Sequence, residues 1–451
     1  MLYKTETELM KKAQEAIGKT FNEIDQHDRL GKGQKGGFGH IIEESHFGYE
    51  INSNAEPDFK ELGIELKVTA FKKNKNGTIS AKERLVLNII NYMEEVCEQF
   101  ETSSFWRKNQ KLLLMFYEWQ TELERGEFHI IETILYKYPE EDLIIIKKDW
   151  EHIVNKIKAG EAHLLSEGDT QYLGACTKGA NKSTVRQQPY SDILAPQRAF
   201  SLKQSYMTSI MREYITKEKL TYFSSKKELL EKTIEELLYE RFVPYIGLTQ
   251  KEMAARLDVP YNSKNKAFIP KIISSLLGVK GTKLDQIAEF AKANIQFKTV
   301  QLKQSGIPKE HMSFVNINFK QIVEEDWEDS YIRNYFLETQ LLFVVFQLNE
   351  QDELVFKGIK LWHMPMETIE NGVLGYWEEI RNVVNEGVQF EITKRGIKNN
   401  LPDVKFNGIL HVRPKGRNAA DKTELPDGQL ITKQSYWLNA EYVANILNEV
   451  R

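Results

Sequence analysis

Cysteine is nearly absent. Cys97 and Cys176 are the only two among 451 residues, too few for a disulfide framework and without the close spacing of a zinc knuckle. Both are expected as buried thiols in a reducing compartment. No uninterrupted apolar stretch approaches the roughly 18 residues of a membrane span, and the opening MLYKTETELMKKA lacks the apolar core of a signal peptide. A cytoplasmic protein with no membrane partner is therefore expected. Charge of one sign is also lacking: 61 basic against 65 acidic side chains leave a net charge of -4, so any nucleic-acid binding must come from local clustering. The nine histidines show no HExxH or paired zinc spacing. In the Gly-rich stretch Gly31 to Gly39, Gly37 and Phe38 stand where a P-loop needs Lys and Ser or Thr, which argues against NTP hydrolysis. What is present, 41% hydrophobic and 28% charged residues, is the composition of a folded chain. At roughly 100 to 200 residues per domain, two to four domains are expected.

The sequence repeats itself at an interval of about 230 residues. Lys203-Gln204-Ser205-Tyr206 recurs as Lys433-Gln434-Ser435-Tyr436, and Gly63-Ile64-Glu65-Leu66-Lys67-Val68 aligns with Asn294-Ile295-Gln296-Phe297-Lys298-Thr299. The apolar run Leu112 to Phe116 has its counterpart in Leu341 to Val345. The polar stretch Lys217 to Lys232 is the expected junction. Leu248 to Val259 has the look of the first helix of a helix-turn-helix, but its position parallels Gly18 to Ile24 and favours the repeat. Each half also carries a basic segment. Gln171 to Arg212 holds six cations (Lys178, Lys182, Arg186, Arg198, Lys203 and Arg212) against Asp192, and Ile392 to Asn418 holds seven, Arg413, Lys415 and Arg417 among them, against Asp403. Such segments suit a phosphate backbone.

Element by element the pattern is mixed α/β. Helices are expected at Thr7 to Ile17 and Glu228 to Tyr239, and strands at Gly63 to Ala70, Lys111 to Trp119 and Leu143 to Lys147. Arg84 to Phe100 reads either as a strand running into a helix or as one helix. In Glu56-Pro57-Asp58-Phe59-Lys60-Glu61-Leu62-Gly63-Ile64-Glu65-Leu66-Lys67, Pro57 and Gly63 mark a turn feeding a strand. Alternation along that strand sends Glu65 and Lys67 to one face and Ile64, Leu66 and Val68 to the other. Asp58 in the turn can bring its carboxylate beside Glu65. Two oxygen donors with open positions are what Mg²⁺ requires, and Lys67 can orient or deprotonate a water and stabilise developing charge. Glu43 or Glu44 can add a carboxylate, and Lys111 a second cation. Glu and Lys also alternate on exposed strands as plain salt bridges, and this alternative stays open on the pattern alone.

At these residues the chain resembles the mismatch-repair endonuclease MutH and its restriction-enzyme relatives that cut at GATC. The similarity lies in Pro57-Asp58, Leu62-Gly63-Ile64 and Glu65-Leu66-Lys67, and in Gly39-His40-Ile41-Ile42-Glu43-Glu44. It continues in Tyr172-Leu173-Gly174-Ala175-Cys176-Thr177-Lys178 and Phe200 to Met207, and in the second half in Gly408-Ile409-Leu410-His411-Val412-Arg413-Pro414-Lys415-Gly416. The resemblance implies two tandem restriction-endonuclease-like domains, each a mixed central sheet flanked by helices. Residues 1–215 would be catalytic and 226–451 a duplicated DNA-binding domain without a complete active site. It further implies Asp58, Glu65, Lys67 and Lys111 as catalytic residues. Mg²⁺ would be held by Asp58 and Glu65 with Glu43 or Glu44. DNA would be contacted by Lys178, Lys182, Arg186, Arg198, Lys203, Tyr206, Arg413, Lys415, Arg417 and Lys433. In the second half Asp58 becomes Glu289 and Glu65 becomes Gln296, Lys67 remains Lys298, and Lys111 falls near Gln340, so no cleavage is expected there.

The expected activity is that of a type II restriction endonuclease hydrolysing double-stranded DNA at GATC. The second half would act as an allosteric DNA-binding effector and the chain would self-associate on DNA, while a cognate methyltransferase would act on the same site without needing to contact the chain. The rival readings are a non-catalytic DNA-binding effector and a repair nickase that waits for a mismatch-sensing partner.

Overall fold

A computed structural model describes residues 3–31, 37–51, 55–179, 184–394 and 396–449. The chain divides into two units: unit 1 is Met1–Ile234 with Leu284–Asn294, and unit 2 is Glu235–Lys283 with Ile295–Arg451.

Both halves of the sequence open on the same helix signals. Thr5 and Glu8 cap the helix Glu6–Gln14 reciprocally, as Ser225 and Glu228 cap Lys226–Glu231. Next, Gly18 at φ 84° precedes a box of Thr20 and Glu23 on Phe21–Ile24, and Gly247 at φ 88° precedes a box of Thr249 and Glu252 on Gln250–Arg256. In each box a hydroxyl and a carboxylate satisfy amide donors that the first helical turn leaves unpaired. The segment with the look of a helix-turn-helix is thus the second copy of this capped turn.

The strands of unit 1 are β1 (Glu65–Lys73), β2 (Ile79–Ala81), β3 (Leu85–Ile89), β4 (Lys111–Glu118), β5 (Ile130–Lys137), β6 (Leu173–Thr177), β7 (Val185–Gln188), β8 (Ser191–Pro196) and β9 (Arg198–Leu202). They form a mixed sheet in the order β2-β1-β4-β5, with β1 parallel to β4, an antiparallel sheet β3-β9-β6, and a hairpin β7-β8. Unit 2 has β10 (Ile295–Leu302), β11 (Met312–Asn316), β12 (Gln340–Leu348), β13 (Leu354–His363), β14 (Phe390–Thr393), β15 (Gly396–Asn399), β16 (Leu410–Pro414), β17 (Lys422–Glu424), β18 (Leu430–Thr432) and β19 (Gln434–Leu438). The same plan returns: β10-β12-β13 with β10 parallel to β12, then antiparallel β11-β19-β16. Register repeats as well, since Glu65 pairs with Leu112 and Gln296 with Leu341. Apolar residues fill Leu112–Phe116 and Leu341–Phe346, all buried, as central strands covered on both faces require. The architecture is α/β with two tandem MutH-like domains.

Two local expectations differ from the structure. Leu143 to Lys147 lies inside the helix Glu140–Lys158 rather than in a strand. Its short apolar run continues as Asp149, Trp150, Ile153, Val154 and Ile157, a buried stripe at helical spacing. Cys97 is exposed beyond the helix Tyr92–Glu95, so only Cys176 is buried. Arg84 to Phe100 resolves as a strand, β3, followed by that helix.

Segment Leu284–Asn294, placed by sequence in the second half, belongs to unit 1. Lys292 is buried there, with Nζ 2.7 and 2.9 Å from the two carboxylate oxygens of the fully buried Asp142 and 2.6 Å from the Tyr222 hydroxyl. Glu289, also fully buried, accepts hydrogen bonds from the Phe223 and Ser224 amides and the Ser224 hydroxyl. Burial raises its pKa while those donors oppose the rise. The alignment of Glu289 with Asp58 is therefore one of sequence interval alone, because its carboxylate is committed to a tie within unit 1. Among the described residues no helix is long and apolar enough to cross a membrane.

Candidate active site

The turn before β1 closes tightly. Phe59 and Ile64 exchange backbone hydrogen bonds across a 3₁₀ turn, Lys60–Leu62. Gly63 ends that turn at φ 63°, ψ 39°, a left-handed conformation that glycine adopts without steric cost. This geometry carries Asp58 back over the start of the strand. The Leu66 amide donates to Asp58 Oδ2 at 2.9 Å, and the Asp58 amide donates to Glu65 Oε2 at 3.2 Å. Ile64, Leu66 and Ala70 anchor the strand in the core of unit 1, so the two acids are held on a rigid element.

Glu65 is only 3% exposed. Its Oε1 lies 2.8 Å from Lys67 Nζ and 3.6 Å from Lys108 Nζ. Asp58 is pushed up to about 7, first by burial and then by the charge of Glu65, with Glu43 adding to the push. Glu43 is itself raised, by burial and by Glu65. It sits on the π-helical turn Ile42–His46, which follows the helix Gly37–Ile41. Glu44 turns away: its Oε2 is 2.5 Å from Arg29 Nε, and that contact lowers its pKa. Of the two, Glu43 is the one electrostatically coupled to Glu65.

Lys111 does not join these residues. At the start of β4 its Nζ binds the Leu62 carbonyl at 2.5 Å and Glu6 Oε1 at 3.0 Å, which fastens the back of the turn to the first helix. The second cation beside the carboxylates is Lys108, on the helix Ser104–Asn109. Sequence reading overlooked it. The signal was a lysine on the helix entering the apolar strand, three residues before the one chosen.

Asp58 and Glu65, with Glu43 near, are hard oxygen donors, and burial together with their mutual repulsion raises the pKa of Asp58. A divalent cation relieves that repulsion, and the donor chemistry fits Mg²⁺. Among the described residues no group of three or more His, Cys, Asp or Glu is arranged to hold a metal ion.

The residues expected to touch DNA fall into three sets. Lys178 and Arg186 are exposed, and the Arg186 Nε bonds Gln197 Oε1 at 2.8 Å. Arg413, Lys415 and Arg417 are exposed on β16 and beyond it, with Arg413 stacked 5.4 Å from the Trp437 ring centre. Lys433 is partly exposed and paired with Asp421 at 2.6 Å. By contrast Arg198, Lys203 and Tyr206 are interior. Arg198 Nη1 donates to the Ala175 carbonyl at 2.7 Å, Lys203 Nζ donates to the Thr170 carbonyl, and the Tyr206 hydroxyl donates to Asp142 at 2.8 Å. These three hold the antiparallel sheet and the helix after it, and phosphate has no access to them. Lys182 lies outside the described residues.

In unit 2, Gln296 Oε1 accepts from the Tyr335 hydroxyl at 2.8 Å. A neutral side chain thus stands at the register of Glu65, while Lys298 is retained at that of Lys67.

A family model for the DNA mismatch repair enzyme MutH matches residues 47–149 and 281–371, one stretch in each half. Over 482 aligned positions the chain is 40% identical to the Type II restriction enzyme Sau3AI of Staphylococcus aureus, covering 98% of each sequence. The DNA mismatch repair protein MutH of Shewanella woodyi is 30% identical over 216 residues, 46% of this chain and 91% of the relative. That of Pasteurella multocida is 27% identical over 190 residues, 41% and 83% of the two chains.

Proposed function

The chain belongs to the MutH-related type II restriction endonucleases, and we propose that unit 1 cuts double-stranded DNA at GATC with Mg²⁺ while unit 2 binds the same sequence without cutting it. One observation carries this reading: Asp58, Glu65, Lys67 and Lys108 converge on one strand start in unit 1, where the matching register of unit 2 has Gln296. GATC is the target that the sequence resemblance implies.

Mg²⁺ held by Asp58 and Glu65 would supply Lewis-acid stabilisation of the phosphate oxygens and of the leaving group. Lys67 hydrogen-bonds the attacking water and holds positive charge beside the reacting phosphate, and Lys108 adds a second positive charge. Glu65 keeps both ammonium groups in place. Water attacks phosphorus, the bond to the 3′ oxygen breaks, and the products are a 5′-phosphate and a 3′-hydroxyl. The exposed Arg413, Lys415 and Arg417 give unit 2 its DNA-facing charge. With one complete centre per chain, a cut through both strands of a palindrome takes two chains on the DNA or two successive nicks. A methyltransferase modifying the same site is the expected companion of the activity.

Plasmid nicking tests the assignment. Glu65→Ala should abolish Mg²⁺-dependent cleavage and preserve binding of a GATC duplex in Ca²⁺. Cleavage by the variant at near the wild-type rate would remove Glu65 from the reaction. Cutting by the purified wild-type chain alone separates restriction from a partner-dependent nickase, and absence of any cutting would favour a non-catalytic effector.

A further inference from the structure

The remnant of the active site in unit 2 has a different charge balance. In unit 1 the two lysines face carboxylates. In unit 2 the carboxylate at that register is the amide of Gln296, and neither Lys298 nor Lys415 forms an ion pair among the described residues. Lys298 is half-buried on β10, its Nζ 4.7 Å from the Phe314 ring centre and 3.4 Å from the Ser313 carbonyl. Lys415, just past β16, donates from Nζ to the next carbonyl, that of Phe314, at 2.7 Å. Both ammonium groups are therefore gathered at one short stretch of β11, with Lys298 coming from the strand position that Lys67 occupies in unit 1. Burial and the charge of Lys415 together lower the pKa of Lys298 to about 8. Holding two cations together without an acid between them costs free energy, and an anion placed against both offsets that cost.

We propose that in unit 2 the place of the nuclease centre has become a metal-independent phosphodiester site, in which Lys298 and Lys415 take a backbone phosphate of DNA directly. In unit 1 the carboxylates repel a phosphate until a divalent cation joins them. Exchange of Glu65 for Gln296 removes that repulsion and the dependence on metal together. The inference rests on the reading that unit 2 binds DNA, and it adds which side chains meet the phosphate and why no metal is needed there.

The test uses the full chain in EDTA, a fluorescent GATC duplex and anisotropy across a KCl series. Lys298→Ala should weaken binding about tenfold near 0.1 M salt and reduce the slope of log K against log salt by about one, the signature of one lost phosphate contact. Gln296→Glu, which keeps Lys298 and restores a carboxylate, should weaken binding in EDTA in the same direction. It also serves if Lys298→Ala does not fold. Unchanged affinity and slope in folded Lys298→Ala, or in Gln296→Glu, would overturn the proposal. Arg413→Ala with Arg417→Ala separates the two levels. If that double variant weakens binding while the Lys298 and Gln296 variants do not, only the phosphate site fails. If it too leaves binding unchanged, the reading of unit 2 as a DNA-binding unit fails.

Discussion

Lys108 and Lys111 lie three residues apart on either side of the entry to β4, and they should behave as opposites. Lys108 Nζ stands 3.6 Å from Glu65 Oε1, and Lys111 Nζ is spent on Glu6 and the Leu62 carbonyl. A unit charge about 4 Å from charge developing on a phosphate is worth about 4 kcal/mol at an effective dielectric constant near 20. Loss of a single charge stabiliser typically costs ~10²–10³ in rate. Lys108→Met, which keeps most of the side-chain bulk, should therefore slow single-turnover cleavage by at least ~100-fold. The Lys108 side chain is mostly buried beside Glu65, and methionine keeps that space filled. Lys111→Ala should instead lower stability by about 1 kcal/mol, the worth of its hydrogen bonds, and slow cleavage by less than ~10-fold through a looser turn. Single-turnover nicking at saturating Mg²⁺, with a urea titration for each variant, measures both quantities. A Lys108 variant that cuts normally, beside a stable Lys111 variant that does not cut, would refute the geometry of the centre.

Three further outcomes follow from the contacts. Glu43→Gln should reduce cleavage more than Glu44→Gln, because Glu43 is coupled to Glu65 and Glu44 is paired with Arg29; equal effects in nicking assays would return the accessory acid to an open question. Lys292→Met should destabilise unit 1 by about 3 kcal/mol in urea, the lower end for a broken buried pair, because Tyr206 and Tyr222 still donate to Asp142. Adding Asp142→Asn should recover part of that loss, and a cost below about 1 kcal/mol for the single change would contradict the buried tie. Lys298→Met should raise Tm at pH 7. The folded pKa of Lys298, about 8, lies below the usual value of 10.5, so its charge opposes folding below pH 8. That penalty fades as pH rises from 8 to 10.5, and the advantage of the variant should shrink over the same window; a constant difference across it would contradict the shift.

The turn that carries Asp58 to Glu65 was legible because its parts are contiguous: a Pro and a Gly fix the turn, and strand alternation sorts Glu65 and Lys67 from Ile64 and Leu66. The duplication was legible because two apolar strands and the Lys-Gln-Ser-Tyr motif recur at nearly one interval. Lys108 was not, since which of two neighbouring lysines meets a carboxylate depends on how a short helix is set against the following strand. Lys203 and Tyr206 misled for a related reason. Polar residues in a basic segment read as surface, yet here they satisfy buried carbonyl and carboxylate oxygens, a demand created only by the packed fold. Leu143 to Lys147 was misread because four consecutive apolar residues fit either period, and the stripe that decides the matter lies beyond them.

The placement of Leu284–Asn294 within unit 1 also bears on how the chain is made. A ribosome that has finished Ile234 has not yet supplied the lysine that neutralises Asp142; that comes roughly 60 residues later, some 3 to 12 seconds at about 5 to 20 residues per second. During that interval Asp142 has its two tyrosine donors but not its cation. Unit 1 thus reaches its final stability only after part of unit 2 has been synthesised.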